Sequence, residues 1–348
     1  MSDGKIRLLE EVVRMQRDLR DGTGTFSLYL SIPFCPTRCY YCSFVSESSP
    51  RSFALIPQYV AALCEEIRIA GEISAESRLV LDSIYIGGGT PTTLSADDLS
   101  LIIHTVRESF DMRGVREFTV EAGRPDTINE EKLSDLSSLG VTRISINPQT
   151  LSDDILRKIG RSHSAADFFE KYEMAKRYGF SSINVDLIAG LDGVSTDDFS
   201  RDLERIISLE PENITIHALT AKKSSALKEE PNFHKGAAAA SKMVDGAHKF
   251  LMEAGYLPYY IYRQKNTLGG LENVGYCRPG KQSLYNIRIM DDTQTIVACG
   301  AGSVTKLVDS CRGKIERVFC YKYPAEYLDG FEEMKRRKEN LRSFFAKI

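Results

Sequence analysis

Six short apolar runs recur through the first two thirds of the chain, and between them apolar positions return every three or four residues. FSLYLSI (26–32), LDSIYIG (81–87), EFTVEAG (117–123), TRISINP (142–148), INVDLIAG (183–190) and NITIHAL (213–219) are rich in β-branched residues. Each ends in a glycine, a proline or a polar turn, as strands do. The stretches 59–70, 95–109, 129–139, 165–178 and 196–209 have helical spacing. Ser95, Asn129 and Ser195 stand where N-caps belong, and Asp98 and Asp198 put an acid three residues after the first and last of them. Such βα alternation predicts a parallel sheet with helices outside it, doubly wound or curled into a barrel. Helices are also expected at 1–20 (Ile6, Leu8, Leu9, Val12, Val13, Leu19), at 232–254 (Met243, Val244, Ala247, Phe250, Leu251) and over 324–348 (Tyr327, Leu328, Phe331, Met334, Leu341). No repeat or low-complexity tract interrupts the chain.

In both folds chemistry gathers at the C-terminal ends of the strands, and the unusual residues of this chain fall there. Cys35, Cys39 and Cys42 follow the first run with spacing C-x3-C-x2-C, and Gly87-Gly88-Gly89-Thr90-Pro91-Thr92 follows the second. Glu121 ends the third, Asn147-Pro148-Gln149 the fourth, and Asp186 lies in the fifth. Soft thiolates select iron-sulfur clusters, zinc or copper(I). Zinc ribbons need paired C-x2-C knuckles, which the sequence lacks. Three cysteines with no nearby fourth ligand fill three corners of a [4Fe-4S] cube and leave one iron open to an exogenous ligand. The triple glycine suits close approach of a ligand to the backbone, and equally a tight strand-to-helix turn. A carboxylate inside an apolar strand requires a partner, so Glu121 and Asp186 call for an ammonium, ribose hydroxyls or an arginine. Arg161, in IGRSH, can meet a ligand carboxylate or form a structural salt bridge.

Composition narrows the class. At 348 residues and 42% hydrophobic the chain can bury one large core or two modest ones, and its net charge of -3 argues against nonspecific nucleic-acid binding. The N-terminal amphipathic stretch carries charges throughout, unlike a signal peptide or a membrane span, and the expected location is the cytoplasm. Cys64, Cys277, Cys299, Cys311 and Cys320 have no tight mutual spacing and read as buried free thiols of a reducing compartment, with Cys311 and Cys320 as alternative auxiliary ligands.

Taken together, SLYLSIPFCPTRCYYCSF, YIGGGTPTTLS, FTVEAGRPDTI, RISINPQT, KIGRSH and INVDLIAGL resemble the radical S-adenosylmethionine (SAM) enzymes of the oxygen-independent coproporphyrinogen III oxidase family. The distal YIYRQKNTLGGLENVGYCRPGKQSLYNI and ACGAGSVTK look most like its HemZ-type branch, the coproporphyrinogen dehydrogenase-like proteins. The resemblance implies an α/β fold: a partial (β/α)6 radical SAM barrel over 26–225, preceded by an N-terminal helix over 1–25 and followed by a smaller α+β domain over 226–348 that covers the barrel mouth. It implies Cys35, Cys39 and Cys42 as ligands of a [4Fe-4S] cluster. Tyr29, Tyr41, Gly88, Gly89, Thr90, Glu121, Gln149, Arg161 and Asp186 match the family's SAM contacts. Two-SAM members carry a further Cys two residues after the third ligand; here that position is Phe44, which leaves the number of SAM molecules open. About twenty-five residues precede the first strand, fewer than the HemZ-type pattern implies.

The reaction implied begins with one electron from an external flavodoxin- or ferredoxin-like donor. SAM is cleaved, a hydrogen leaves the β-carbon of a substrate propionate, and loss of carbon dioxide and one electron leaves a vinyl group. Two such events turn coproporphyrinogen III into protoporphyrinogen IX, a step of haem biosynthesis. A tetrapyrrole bearing propionates needs cationic clamps, and Arg263, Lys265, Arg278, Lys281 and Lys306 are candidates alongside solvated surface charge. Two alternatives stay open: a haem chaperone, for which His217 and His163 are candidate iron ligands, and a radical SAM enzyme acting on another tetrapyrrole.

Overall fold

The computed structural model describes residues 3–19, 21–42, 44, 46–221, 236–309 and 312–345. All six runs form strands: β1 Thr25–Ile32, β2 Val80–Gly88, β3 Glu117–Glu121, β4 Arg143–Ser145, β5 Ser182–Ala189 and β6 Asn213–Ala218. They lie side by side in chain order, each pair parallel. The helices Ile56–Ala75, Ala96–Ser109, Glu130–Ser138, Ala165–Lys176 and Thr196–Ile207 connect them. Ser95, Asn129 and Ser195 accept the backbone N–H of Asp98, Lys132 and Asp198, as N-caps should. The first two outer helices press together at Gly71, where a Cβ would stand 2.4 Å from the Ser109 carbonyl oxygen. Strand β4 is shorter than its apolar run because Pro148, without an N–H, cannot continue the ladder.

The rest of the chain extends this sheet at both edges. Strands β7 Leu257–Tyr262, β8 Asn273–Cys277, β9 Thr295–Cys299, β10 Val304–Asp309 and β11 Lys314–Phe319 complete the order β11-β10-β9-β1-β2-β3-β4-β5-β6-β8-β7. β9 joins β1 in parallel; β10 and β11, and β8 and β7, run antiparallel to their neighbours. The observed architecture is the α/β partial barrel, with C-terminal elements packed on it.

One of those elements fills the barrel from the N-terminal side of the strands. The helix Leu284–Asp291 is capped by Ser283, and its first N–H groups, Leu284 at 2.8 Å and Tyr285 at 3.1 Å, are accepted by the carboxylate of Glu117, at the start of β3. A negative charge at a helix N-terminus is favoured by the helix dipole. Arg143, at the start of β4, lies 3.4 Å from the same carboxylate.

The expected helix at 232–254 is present as Ala237–Glu253; residues 232–235 lie outside the described residues. The stripe at 324–348 forms two helices, Pro324–Asp329 and Phe331–Phe345, with 346–348 outside the description. They break at Gly330, against which the Tyr321 ring packs so closely that a Cβ would meet it at 2.3 Å. Lys338 enters the core there. Its Nζ lies 3.2 Å from Glu66 Oε1 and donates to the Ala298 carbonyl, while Glu66 Oε2 accepts from Tyr327 Oη at 2.7 Å and Gly300 N at 2.8 Å. Among the described residues, no helix is long and apolar enough to cross a membrane.

Removing one member of this buried ion pair leaves the other charged in a dry interior. Lys338→Met should therefore lower unfolding stability by about 3–5 kcal/mol in a denaturant titration. The double variant Lys338→Met/Glu66→Gln should lose less, because no unpaired charge then remains buried.

Candidate active site

The C-terminal strand ends open on a cavity of about 330 Å³. The residue after β1 that begins the site is Cys35, whose Sγ lies 3.3 Å from the Thr90 hydroxyl in the loop after β2. Cys35 and Cys39 are buried, Cys42 is half-buried, and all three line the cavity. The loop is clamped at both ends. Cys35 N–H donates to the Glu47 carbonyl at 3.0 Å, Tyr40 N–H to the Ile159 carbonyl at 3.3 Å, and the Thr37 hydroxyl to the Gly160 carbonyl at 2.6 Å. Gly160 has φ +78°, and a Cβ there would lie 2.8 Å from the Arg38 carbonyl oxygen. That position requires glycine both for its left-handed backbone and for the approach of the cysteine loop. Gly88 likewise has φ +113°, and a Cβ on Gly89 would meet the Phe34 carbonyl at 2.6 Å, so the triple glycine does serve close packing against the end of β1.

Arg161 ties this loop to the neighbouring strand ends. Its Nη1 donates to the carbonyls of Gly123 at 2.9 Å and Asn147 at 3.0 Å, and its Nη2 to Tyr41 Oη at 3.1 Å. Gln149 has φ +70°, which strains a residue with a Cβ. It is held there by two backbone bonds to β5, from Gln149 N to the Asp186 carbonyl (3.0 Å) and from Ile188 N to the Gln149 carbonyl (2.9 Å).

Two carboxylates face the cavity and are treated differently by their surroundings. Glu121 accepts from Tyr85 Oη. Burial pushes its carboxyl up to about 7, with Asp186 adding to the rise and Tyr85, the Gly88 N–H and His217 opposing it. Asp186 would also be raised by burial, but His217 and Asn184 hold it below the usual carboxylate range. His217 Nε2 lies 3.3 Å from Asp186 Oδ2, Asn184 Nδ2 donates to Oδ1 at 2.7 Å, and Tyr262 Oη is 3.2 Å from His217 Nδ1. The partner that Asp186 demanded is thus a histidine that the sequence offers either as a hydrogen-bonded structural residue or as an iron ligand. Both ring nitrogens of His217 are engaged. His163 is buried near Asp126, with Nδ1 3.7 Å from Oδ1, and does not line the cavity.

Tyr41, Gly88, Gly89, Thr90, Glu121, Gln149, Arg161 and Asp186 all line the cavity with the three cysteines. Tyr29 does not; its ring stacks on Tyr85 and Tyr285 at 6.2 and 6.1 Å. Three of the five expected substrate cations are engaged elsewhere. Arg278 covers the Tyr256 ring at 4.1 Å and donates to the Ala254 carbonyl, and Lys281 Nζ donates to the Ser181 carbonyl just before β5. Lys306 caps the C-terminal end of the helix Leu284–Asp291 through the carbonyls of Arg288 and Ile289 and through Asp292, where a cation is favoured. Arg263 and Lys265 are exposed and line a groove that shares Gln264 with the cavity. Residues that sequence reading passed over include Arg124, Tyr85 and Tyr262, and Asn147 was noted at its strand end without a role. The signal for Asn147 was its place beside Pro148 at a strand end. Cys320 does not line the cavity, and Cys311 lies outside the described residues.

The donor set fits an open cluster and a zwitterionic cosubstrate. Among the described residues, no three Cys, His, Asp or Glu side chains are gathered to hold a single metal ion; the three thiols are arrayed along the cavity. Two buried polar atoms on its lining residues, the Arg161 Nε donor and the Asn147 Oδ1 acceptor, have no hydrogen-bond partner among the described residues. One suits a carboxylate and the other an ammonium, the two charged groups of a methionyl tail.

The site and its fold define a radical SAM protein: residues 29–206 match the radical SAM superfamily, and the chain belongs to it. Within that superfamily the chain is 41% identical over 337 residues to the oxygen-independent coproporphyrinogen-III oxidase-like protein HemZ of Bacillus subtilis, covering 95% of this chain and 67% of that protein. It is 30% identical over 308 residues to the haem chaperone HemW of Haemophilus influenzae, covering 87% and 76%. The structure of the coproporphyrinogen III oxidase HemN from Escherichia coli superposes with a TM-score of 0.70 at 20% identity, covering 96% of this chain and 74% of that one, a likeness of fold. Membership implies a [4Fe-4S] cluster and SAM.

Because folding raises the Glu121 carboxyl from its usual 4.5 to about 7, the folded chain holds this proton more tightly than the unfolded chain. The stability it contributes is present below pH 4.5 and lost as pH rises through 7. Glu121→Gln lacks that loss. Its stability relative to the native chain should improve by up to about 3 kcal/mol between pH 4.5 and 8 in parallel urea titrations; a difference independent of pH would contradict the assignment.

Proposed function

We propose that the protein is an oxygen-independent, decarboxylating oxidoreductase that converts propionate side chains of coproporphyrinogen III to vinyl groups. The observation that carries this reading is the convergence of three thiols, the unpaired Arg161 and Asn147 atoms and two carboxylates on one cavity, in a chain 41% identical to the coproporphyrinogen oxidase-like HemZ. Cluster and SAM, when bound, supply one-electron cleavage and hydrogen-atom abstraction. The chain's own residues bind and orient. Cys35, Cys39 and Cys42 hold the cluster, with Thr90 beside the first of them. Arg161 and Asn147 would take the methionyl carboxylate and ammonium, Tyr41 would offer its ring to the adenosyl group, and Gly88, Gly89 and Thr90 would admit the cosubstrate to the backbone. Asp186, fixed by His217 and Asn184, and Glu121 receive hydroxyl or cationic groups, with Gln149 held in place between them and the cysteine loop.

Phe44, Ile188, Leu219 and Met290 give the cavity an apolar wall suited to a macrocycle, and Arg263 and Lys265 stand at the rim for its carboxylates. The electron comes from a flavodoxin- or ferredoxin-like donor, and the reducing thiols accord with a cytoplasmic setting.

A second reading, a haem chaperone, has support in the 30% identity to HemW. Engagement of both His217 nitrogens by Asp186 and Tyr262 weighs against that histidine as the iron ligand. Radical SAM chemistry on another tetrapyrrole would use the same residues and differ only in product.

Anaerobic reconstitution with iron and sulfide, followed by dithionite, SAM, coproporphyrinogen III and an added one-electron acceptor for the substrate radical, should give 5′-deoxyadenosine and a tetrapyrrole lighter by two carbon dioxides and four hydrogens. Cys39→Ala should abolish both. Arg263→Gln/Lys265→Gln should raise the substrate KM about tenfold or more and leave substrate-independent SAM cleavage unchanged. Deoxyadenosine with no decarboxylated product would contradict the substrate assignment, and a stoichiometric Soret band on haem titration that survives in His217→Ala would favour a chaperone with a different ligand.

A further inference from the structure

Behind the cysteine loop lies a guanidinium that the cavity chemistry does not use directly. Arg124 follows β3, three residues after Glu121, and is buried. Its Nη1 is 3.7 Å from Cys39 Sγ and donates to the Thr37 carbonyl at 3.0 Å. Its other edge faces Asp126 as a fork, Nε to Oδ1 at 3.2 Å and Nη2 to Oδ2 at 3.3 Å. The guanidinium is therefore fixed from two sides: one holds the loop and touches the sulfur, and the other sets how much of its charge is offset. His163 lies 3.7 Å from Asp126, the charge of Arg161 acts on both Cys39 and Asp126, and that of Arg124 reaches Cys35 as well.

A hydrogen bond and a positive charge beside a cluster sulfur stabilise the reduced cluster, whose extra electron is partly carried by its ligands. In a buried setting that interaction is weakly screened. We propose that Arg124 is a positioning residue for the cluster: it donates to the Cys39 sulfur and, with its charge partly offset by Asp126, raises the potential at which the cluster accepts its electron. The inference rests on Cys35, Cys39 and Cys42 holding a [4Fe-4S] cluster, and it adds a control on the delivery of a low-potential electron.

The test is a potentiometric titration of the reconstituted full chain, followed by the electron paramagnetic resonance signal of the reduced cluster. Arg124→Gln should move the midpoint to a more negative value, by about tenfold in the ratio of reduced to oxidised cluster, or about 60 mV for one electron. Asp126→Asn, which removes the offsetting charge, should move it the other way, and Arg124→Lys should fall between Arg124→Gln and the native chain. Loosening of the loop alone cannot shift the potential in opposite directions in neighbouring variants. If Arg124→Gln takes up no cluster, Arg124→Lys and Asp126→Asn carry the same comparison. Equal potentials in every loaded variant would overturn the inference, whereas a native chain that holds no cluster would overturn the cluster reading beneath it.

Discussion

The cavity keeps its shape because one guanidinium reaches three strand ends at once. Arg161 donates to the carbonyls of Gly123 after β3 and Asn147 after β4, and to Tyr41 in the cysteine loop after β1. Gly160 beside it admits the Arg38 backbone where any side chain would collide. A parallel sheet brings strand ends together but leaves its loops with unpaired backbone carbonyls. Arg161 satisfies two of these and orders the loop that carries the thiols. Its remaining buried donor, Nε, has no partner among the described residues and is left for a ligand group.

Around that pin the cavity has two electrical sides. The cysteine side carries Arg161 and Arg124, cations next to groups that become anionic when they bind metal. The lining also carries Glu121 and Asp186, whose surroundings push them apart: burial raises Glu121, and His217 holds Asp186 below the usual carboxylate range. Such a division suits a cosubstrate that is itself divided into carboxylate, ammonium and sulfonium. Below it, the helix Leu284–Asp291 seated on Glu117 closes the floor and puts Asn286 and Met290 into the cavity wall.

The sequence carried the barrel almost whole, because each parallel strand is a continuous β-branched run ending in a turn residue and each connecting helix announces its N-cap. The cysteine spacing, the glycine run and the carboxylates at strand ends were legible for the same reason: topology alone brings those ends together. Placement was not legible where it depends on long-range packing. Arg278, Lys281 and Lys306 are cations in a distal segment, and nothing in their local spacing distinguishes a substrate clamp from a stacked arginine, a floor contact and a helix C-cap. Tyr29 fits the motif yet stacks behind Tyr85, since strand alternation fixes a face but not how deep a ring sits. Four of the five C-terminal strands went unread as partners of the main sheet because antiparallel additions leave no βα signature, and β9, which joins β1 in parallel, is separated from it by most of the chain.

The central claim is that the three cysteines hold a cluster with one iron open to SAM. The most direct measurement is electron paramagnetic resonance of the reduced, reconstituted chain with and without SAM carrying a 15N label in its methionyl amino group. The account predicts a changed cluster spectrum and a resolved nitrogen coupling, both lost in Asn147→Ala while the cluster itself remains. A reduced cluster whose spectrum is indifferent to SAM would contradict it.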